Sequence, residues 1–429
     1  VILTRLAVCC TALALLSHVR AGAASAAPSQ PEPAAPLKAI TSPIVSPATG
    51  LEFIDTSFEN ASPVWYEPTA DGTIRVHLLY DLERASPNRA AGHLHMLVHA
   101  KPGSPLRFEL VNLDNVWNGT HGSVAKEWQS ISISEDGRTW RVIPTDNSSG
   151  VSVRFAVTMP GPRLYVARLE PYRLSDLERF LTSIRPHPLV AITPIGHTVQ
   201  GRELEIVRVG RENAPYRVFL RARAHPWEPA GNWLIEGLVG KLLRGDAEAA
   251  RLFERTCYYI LPMANKDGVA NGRTRFNLLG KDLNRNWDQP AMSTLAPENH
   301  ALEQWLEHMI ASGRKPHFAL ELHNDGGGRL HISRPPVANL ARHLERMTRF
   351  EQLLRQHTWF TEGATTATFK NSGTLGEGWL ERYGIDAAVH EFNANWIAGL
   401  GERPQARHWI DYGAKLTTVF DRYFETLSP

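Results

Sequence analysis

The chain has 429 residues, 43% of them hydrophobic and 21% charged, a length and composition that fit about two to three globular domains and exclude wholesale disorder. A formal net charge of +2, with no basic run interleaved with aromatic residues, leaves nucleic acid and anionic membrane surfaces without an electrostatic basis as main partners. No segment reaches the ~18 uninterrupted apolar residues of a membrane span, so no transmembrane segment is expected.

In chain order, residues 1–27 read as a secretory signal peptide. Arg5 supplies the positive start, Leu6 to Leu16 the apolar stretch and Ala24-Ser25-Ala26 the cleavage site, so the expected location is periplasmic or secreted. A lipid attachment box at Leu6-Ala7-Val8-Cys9 fits less well, because its cysteine precedes the apolar stretch. Loss of this leader removes Cys9 and Cys10 and leaves Cys257 alone, which rules out an intrachain disulfide. Residues 28–48, rich in Pro, Ala and Ser, read as a flexible linker.

From 49 to 168 the text is strand-like. Runs at 73–80, 93–99 and 106–111 alternate or nearly alternate, and Asp71-Gly72, Pro102-Gly103 and Asp136-Gly137 punctuate them, which predicts a small antiparallel β-sandwich. His93, His95 and His99 share one strand face. They lack an acidic or cysteine partner at ligand spacing and read as ordinary strand residues. From 169 to 429 strands alternate with helical patterns, as in α/β folds. Buried strands are expected at 216–222, 257–262, 318–323 and 386–391. A helix is expected after Pro297, and a last one around Ile410, Leu416, Val419, Phe420 and Tyr423.

The sharpest chemical signal is His225-Pro226-Trp227-Glu228, directly after a buried strand. A His and a Glu three residues apart at a strand end can direct an imidazole nitrogen and a carboxylate oxygen at one metal. A distant third ligand is needed, and His323, closing another strand, supplies one at the carboxyl end where sites of open α/β sheets gather. Taken alone, H-x-x-E is common in unrelated proteins.

Further motifs follow in order: Asn265-Lys266-Asp267-Gly268, then Asp282-Leu283-Asn284-Arg285-Asn286-Trp287, the strand-end His323, and Glu391 closing Ala388-Val389-His390. With these, residues from about 170 to 429 resemble the zinc carboxypeptidases related to carboxypeptidase A. The closer match is to the subfamily typified by the cytosolic carboxypeptidases, whose N-terminal sandwich the segment before 170 also resembles. The resemblance implies a mixed central β-sheet flanked by helices, and one Zn2+ per chain held by His225, Glu228 and His323. It further implies Glu391 as general base, Arg275 steadying the oxyanion, and Asn284 and Arg285 gripping the terminal carboxylate of a peptide or protein substrate. A carboxylate beside activated water can take its proton and return it to the leaving amine, and a guanidinium fork suits a planar carboxylate. Arg273 is the alternative to Arg275. His390, next to the base on a strand, is expected to face the other way.

Three departures from the family pattern stand out. Trp227 occupies the place of an Arg two residues after the first ligand in the pancreatic-type enzymes. No Tyr occurs between 352 and 382, where Phe369 and Lys370 lie near the place of a mobile Tyr. The stretch Gly373-Thr374-Leu375-Gly376-Glu377 lacks the basic residue of deglutamylating relatives. The expected activity is zinc-dependent removal of C-terminal amino acids from peptides. The alternatives are an amidase acting on peptidoglycan stem peptides or other non-standard amides, and a catalytically inactive binding protein.

Overall fold

The computed structural model describes residues 49–84, 86–117, 119–365 and 373–425. The expected signal peptide and linker, and Phe369 and Lys370, lie outside the described residues.

The first region is built of short strands: β1 (Leu51–Asp55), β2 (Val64–Pro68), β3 (Ile74–Leu78), β4 (Asp81–Leu82), β5 (Arg89–Ala90), β6 (His95–Ala100), β7 (Pro105–Val111), β8 (Asp114–Trp117), β9 (Thr120–Ser123), β10 (Ser130–Ser134), β11 (Arg141–Pro144), β12 (Val153–Thr158) and β13 (Arg163–Ala167). They form a five-stranded sheet ordered β1-β6-β13-β10-β11 and a four-stranded sheet ordered β12-β7-β3-β2. The two sheets share one core, to which Val98, Ile131, Ile133 and Val166 come from one side and Val76, Phe108, Leu110 and Phe155 from the other. Alternation drives this: along β12, Val153, Phe155 and Val157 turn inward while Arg154, Ala156 and Thr158 face out. The neighbours pair antiparallel except for β3 and β7, which run parallel, so the sandwich is not antiparallel throughout. A third small sheet, ordered β4-β5-β8-β9, was not predicted.

The second region follows as α1 (Leu174–Ile184), β14 (Val190–His197), β15 (Glu203–Val209), β16 (Tyr216–Ala222), α2 (Ala230–Leu242), α3 (Ala247–Arg255), β17 (Thr256–Leu261), α4 (Lys266–Ala270), α5 (Pro297–Ala311), β18 (Phe318–Asp325), β19 (Leu330–His331), α6 (Leu340–His357), α7 (Leu375–Tyr383), β20 (Asp386–Asn393) and α8 (Ala406–Glu425). Its sheet is ordered β14-β15-β17-β16-β18-β20-β19 and is mixed. The central strands β17, β16, β18 and β20 run parallel, while β14, β15 and β19 pair antiparallel with their neighbours.

Successive residues of the central strands enter two different cores, as the pleat requires. Val218, Leu220, Tyr258, Ile260, Leu320 and Leu322 pack with α2, α6 and α8. Phe219, Cys257, Tyr259, Leu261 and Ala319 pack with α5 and α7. Cys257 is therefore a buried apolar side chain. Helices α2 and α8 cross closely because glycines meet backbone there: a Cβ on Gly237 would run into the Ile410 carbonyl, and one on Gly413 into that of Leu234.

The sandwich grips the second region along residues 269–282. Asn60 donates to the carbonyls of Ala270 and Val269, the latter through Nδ2 at 2.9 Å, and the backbone N–H of His93 donates to Thr274 Oγ1 at 3.2 Å. Gly272, at φ +60°, lies against the Ala61 carbonyl with no room for a Cβ. The histidines of the sandwich do not gather as ligands. His93 Nε2 reaches the Asn60 carbonyl, His95 Nδ1 reaches Asn60 Oδ1, and His99 stacks on Phe53. Among the described residues no helix is long and apolar enough to cross a membrane.

Candidate active site

Three strand ends bring the predicted residues together. β16 ends at Ala222 and passes through Arg223, held at φ +59°, before His225. A left-handed non-glycine residue costs of order 1 kcal/mol or more and persists where its surroundings over-determine it. Here Arg223 is buried, donates to the Tyr172 carbonyl at 2.9 Å, and accepts the backbone N–H of Asn265 on its own carbonyl. β18 runs parallel to β16 and carries His323 near its carboxyl end. β20 runs parallel to β18 in a register that sets Glu391 opposite His323. The two side chains therefore share a sheet face at neighbouring strand ends.

His225, Glu228 and His323 are buried and offer ligand atoms that all lie within 4.8 Å of one another. Both histidines turn Nδ1 toward the Glu228 carboxylate, His225 at 2.9 Å from Oε1 and His323 at 2.6 Å from Oε2. Their outer nitrogens have partners of their own. His225 Nε2 lies 3.1 Å from Asp282 Oδ1, and His323 Nε2 lies 3.1 Å from Asn284 Nδ2 and 3.4 Å from Glu321 Oε1. Two imidazoles and a carboxylate meeting at one point, with carboxylates behind the rings, fit a zinc ion with one side left open. Burial opposes the charge on Glu228, but the two imidazoles outweigh it and hold the carboxyl well below its usual range. Trp227 donates its indole N–H to Glu228 Oε1 at 3.0 Å, so the residue standing in the place of an Arg braces this carboxylate.

His225 and Glu228 open onto a cavity of about 990 Å³ lined also by Glu391, Arg275, Asn284 and Arg285, with His323 buried behind them. Burial, and next the Asp325 carboxylate, push the Glu391 carboxyl well above the usual carboxylate range. His390 points the other way, as strand alternation predicts, and meets the Tyr412 hydroxyl of α8 at 2.7 Å. Arg275 donates from Nε to Asp282 Oδ2 at 2.7 Å, and its guanidinium lies 4.7 Å over the Trp117 ring. Burial opposes ionisation of Asp282, yet Arg275, then His225 and Arg285, keep it well below the usual range. Arg273 is turned away from the cavity, onto Asp81 at 3.2 Å, which separates the two candidate arginines. Arg285 donates one bond to the Asn284 carbonyl at 2.8 Å. Asn284 accepts the backbone N–H of Leu375 on Oδ1 at 2.9 Å while its Nδ2 faces His323.

Sequence reasoning missed several residues of this site, Trp117 among them. Asp282 lies inside a motif that was read for its Asn and Arg. Asp325 and His331 can bring ligand atoms within 4.8 Å of that of Glu391, and nothing in their spacing announced it. Glu127, from the sandwich, reaches the cavity wall beside Gly326.

Comparison with known proteins bears on the family and the fold. Residues 178–314 match the zinc carboxypeptidase family (Peptidase_M14). Cytosolic carboxypeptidase 4 of Homo sapiens is 36% identical over 138 residues, which are 32% of this chain and only 12% of that protein's length. Cytosolic carboxypeptidase 6 of Caenorhabditis elegans is 30% identical over 148 residues, 33% of this chain and 32% of that protein. A metallo-carboxypeptidase from Burkholderia cenocepacia shares the fold with a TM-score of 0.75 at 20% identity, over 88% of this chain and 99% of its own. One from Pseudomonas aeruginosa, solved with (2-guanidinoethylmercapto)succinic acid, gives 0.72 at 23% identity, over 87% of this chain and 100% of its own. That coverage takes in the sandwich as well as the α/β region. His323 and Glu391 fall beyond the family match and are brought to it by the strand register. The match to the zinc carboxypeptidase family thus lies within residues 178–314, and the chain from the β-sandwich onward shares the fold of these solved metallo-carboxypeptidases.

Proposed function

We propose that the chain is a zinc-dependent carboxypeptidase that removes amino acids from the C-terminus of peptides. What supports the reading is the convergence of His225, Glu228 and His323 on one point, beside a cavity that His225, Glu228, Glu391, Arg275 and Arg285 line. A zinc ion held there supplies Lewis acidity and lowers the pKa of water. Glu391, on the strand beside His323, takes the proton of the attacking water and passes it to the leaving amine. Arg275, fixed by Asp282 on one side, presents positive charge where the carbonyl oxygen becomes an oxyanion. Arg285 binds the free carboxylate of the last residue and so restricts cleavage to chain ends. Asn284 stands beside it and spends part of its amide on Leu375 and His323.

The test pairs metal analysis with a panel of peptides that differ only in the last residue, using wild type and Glu391→Gln. One zinc per chain in both proteins is expected, with C-terminal trimming in the wild type that falls by about three orders of magnitude or more in the variant. Zinc without trimming of any peptide would move the reading to a non-standard amide such as a peptidoglycan stem peptide. Absence of zinc would refute the site.

A further inference from the structure

The small sheet β4-β5-β8-β9 contributes little to the sandwich core, yet two of its side chains meet the segment that carries Arg275. From β4, Asp81 is buried and accepts the backbone N–H groups of Arg275 and Phe276 on Oδ2, both at 2.8 Å. Its Oδ1 takes the Arg273 guanidinium at 3.2 Å. Just past β4, the Arg84 N–H donates to the Gly280 carbonyl at 2.8 Å, and a Cβ on Gly280 would meet the Arg84 nitrogen. From β8, Trp117 lays its ring under the Arg275 guanidinium at 4.7 Å. The arginine is thus fixed at three points: its backbone by Asp81, its Nε by Asp282, and its planar face by Trp117.

We propose that this sheet is an arginine clamp, with Trp117 and Asp81 as positioning residues for Arg275. The proposal rests on the assignment of Arg275 to the oxyanion given above. A guanidinium on a long side chain has many rotamers, and catalysis gains from a charge that is already aimed before the oxyanion forms. Asp282 alone fixes one nitrogen and leaves the plane free to swing about that bond. An aromatic face below removes this freedom without competing for the donors that must reach the substrate. The sandwich then supplies a working part of the active site, and its role is not confined to supporting the fold.

The experiment uses the full zinc-loaded chain with Trp117→Ala, Trp117→Leu and Trp117→Phe, each in the wild-type and Arg275→Ala backgrounds. Two quantities are read: kcat and KM on a C-terminally free peptide, and the dissociation constant of a phosphonate peptide analogue whose tetrahedral anion mimics the oxyanion. In the Arg275 background, Ala and Leu at 117 are expected to lower kcat and weaken phosphonate binding by about tenfold, with KM within about twofold. Phe should restore most of the loss, since it keeps a π face. Leu keeps apolar bulk and serves as the packing control should the Ala variant fail to fold. In the Arg275→Ala background the same changes should cost less than about twofold, because the partner is gone. Equal losses in both backgrounds, a Leu variant as active as wild type, or a wild type that binds no phosphonate would each overturn the clamp. If wild type trims no peptide but the phosphonate cycle behaves as described, the clamp stands and the peptide substrate is wrong.

Discussion

At the scale of single residues, the two candidate zinc histidines are oriented by what their outer nitrogens touch. Asp282 does this for His225 and at the same time holds Arg275, so one carboxylate links the proposed metal trio to the arginine proposed for the oxyanion. Its side chain is buried, and Arg275 and His225 keep it ionised. Carboxylates behind ligating histidines typically tune metal affinity by about 10–100-fold. Asp282→Asn keeps the shape and removes the charge, so zinc affinity, measured by competition with a chromophoric chelator, should fall by about that factor. Unchanged affinity would show that Asp282 serves Arg275 alone. That His225, Glu228 and His323 lie together was legible because a strand end, an H-x-x-E step and a second strand-end His coincide. Asp282 was not, because its partner His225 lies 57 residues away and an Asp in a polar loop gives no sign of which histidine it will meet. Trp117 was likewise silent: a lone aromatic in a polar stretch gives no sign of which cation it will lie under.

At the scale of elements, the site depends on β16 and β18 keeping their register. Arg221 and Glu321 are direct register partners in the sheet interior, both buried, and their side chains pair at 2.8 Å. Arg221 also donates to the Leu283 carbonyl at 3.1 Å and Asn299 Oδ1 at 2.8 Å, and it lies over Trp287, so it ties both strands to the loop carrying Asp282, Asn284 and Arg285. Removing one member of such a pair leaves an uncompensated buried charge and costs about 3–5 kcal/mol, whereas replacing both with apolar groups can be close to neutral. Arg221→Met should therefore lower unfolding free energy by about that amount, and Arg221→Met with Glu321→Leu should regain most of it. The double variant should still bind zinc more weakly, since Glu321 stands 3.4 Å behind His323. Equal destabilisation in the single and double variants would refute this account. The strands themselves were readable as nearly continuous apolar runs, the mark of a sheet covered on both faces. The sheet β4-β5-β8-β9 was not, because strands of two to four residues such as Thr120–Ser123 carry neither alternation nor an apolar face.

At the scale of the whole molecule, the division into a strand-rich first region and an α/β second region was legible because hydrophobic periodicity changes between them. The last sandwich strand ends at Ala167 and the first helix starts at Leu174. What periodicity could not convey is how the sandwich attaches, since that depends on scattered single contacts such as those of Asn60 with Val269, Arg168 with Asn395, and Trp227 with the sandwich core. On the far side of the sheet from the site, α8 covers His390, which is buried when the chain is folded and exposed when it unfolds. That imidazole sits among Phe360, Phe392 and Tyr412, and burial pushes its pKa down to about 3. Unfolding returns it to about 6.5. Between those values the unfolded chain binds a proton that the folded chain refuses, so stability rises with pH across the window and is lost as pH falls from about 6.5 toward about 3, at roughly 1.4 kcal/mol per pH unit. Buried carboxyls with raised pKa values, Glu170 and Glu298 among them, act in the opposite sense, so the wild-type curve alone does not isolate the histidine. A comparison with His390→Phe does, because those carboxyls are common to both proteins. At pH 7.5 the variant should be less stable by about 1–3 kcal/mol, since the Tyr412 hydroxyl loses its 2.7 Å partner. As pH falls below about 6.5 the gap should close and then reverse, read by urea unfolding of both zinc-loaded proteins at half-unit steps down to pH 4.5. Parallel curves across that range would mean that His390 is protonated or hydrated in the folded chain and that the sheet face under α8 is open to water.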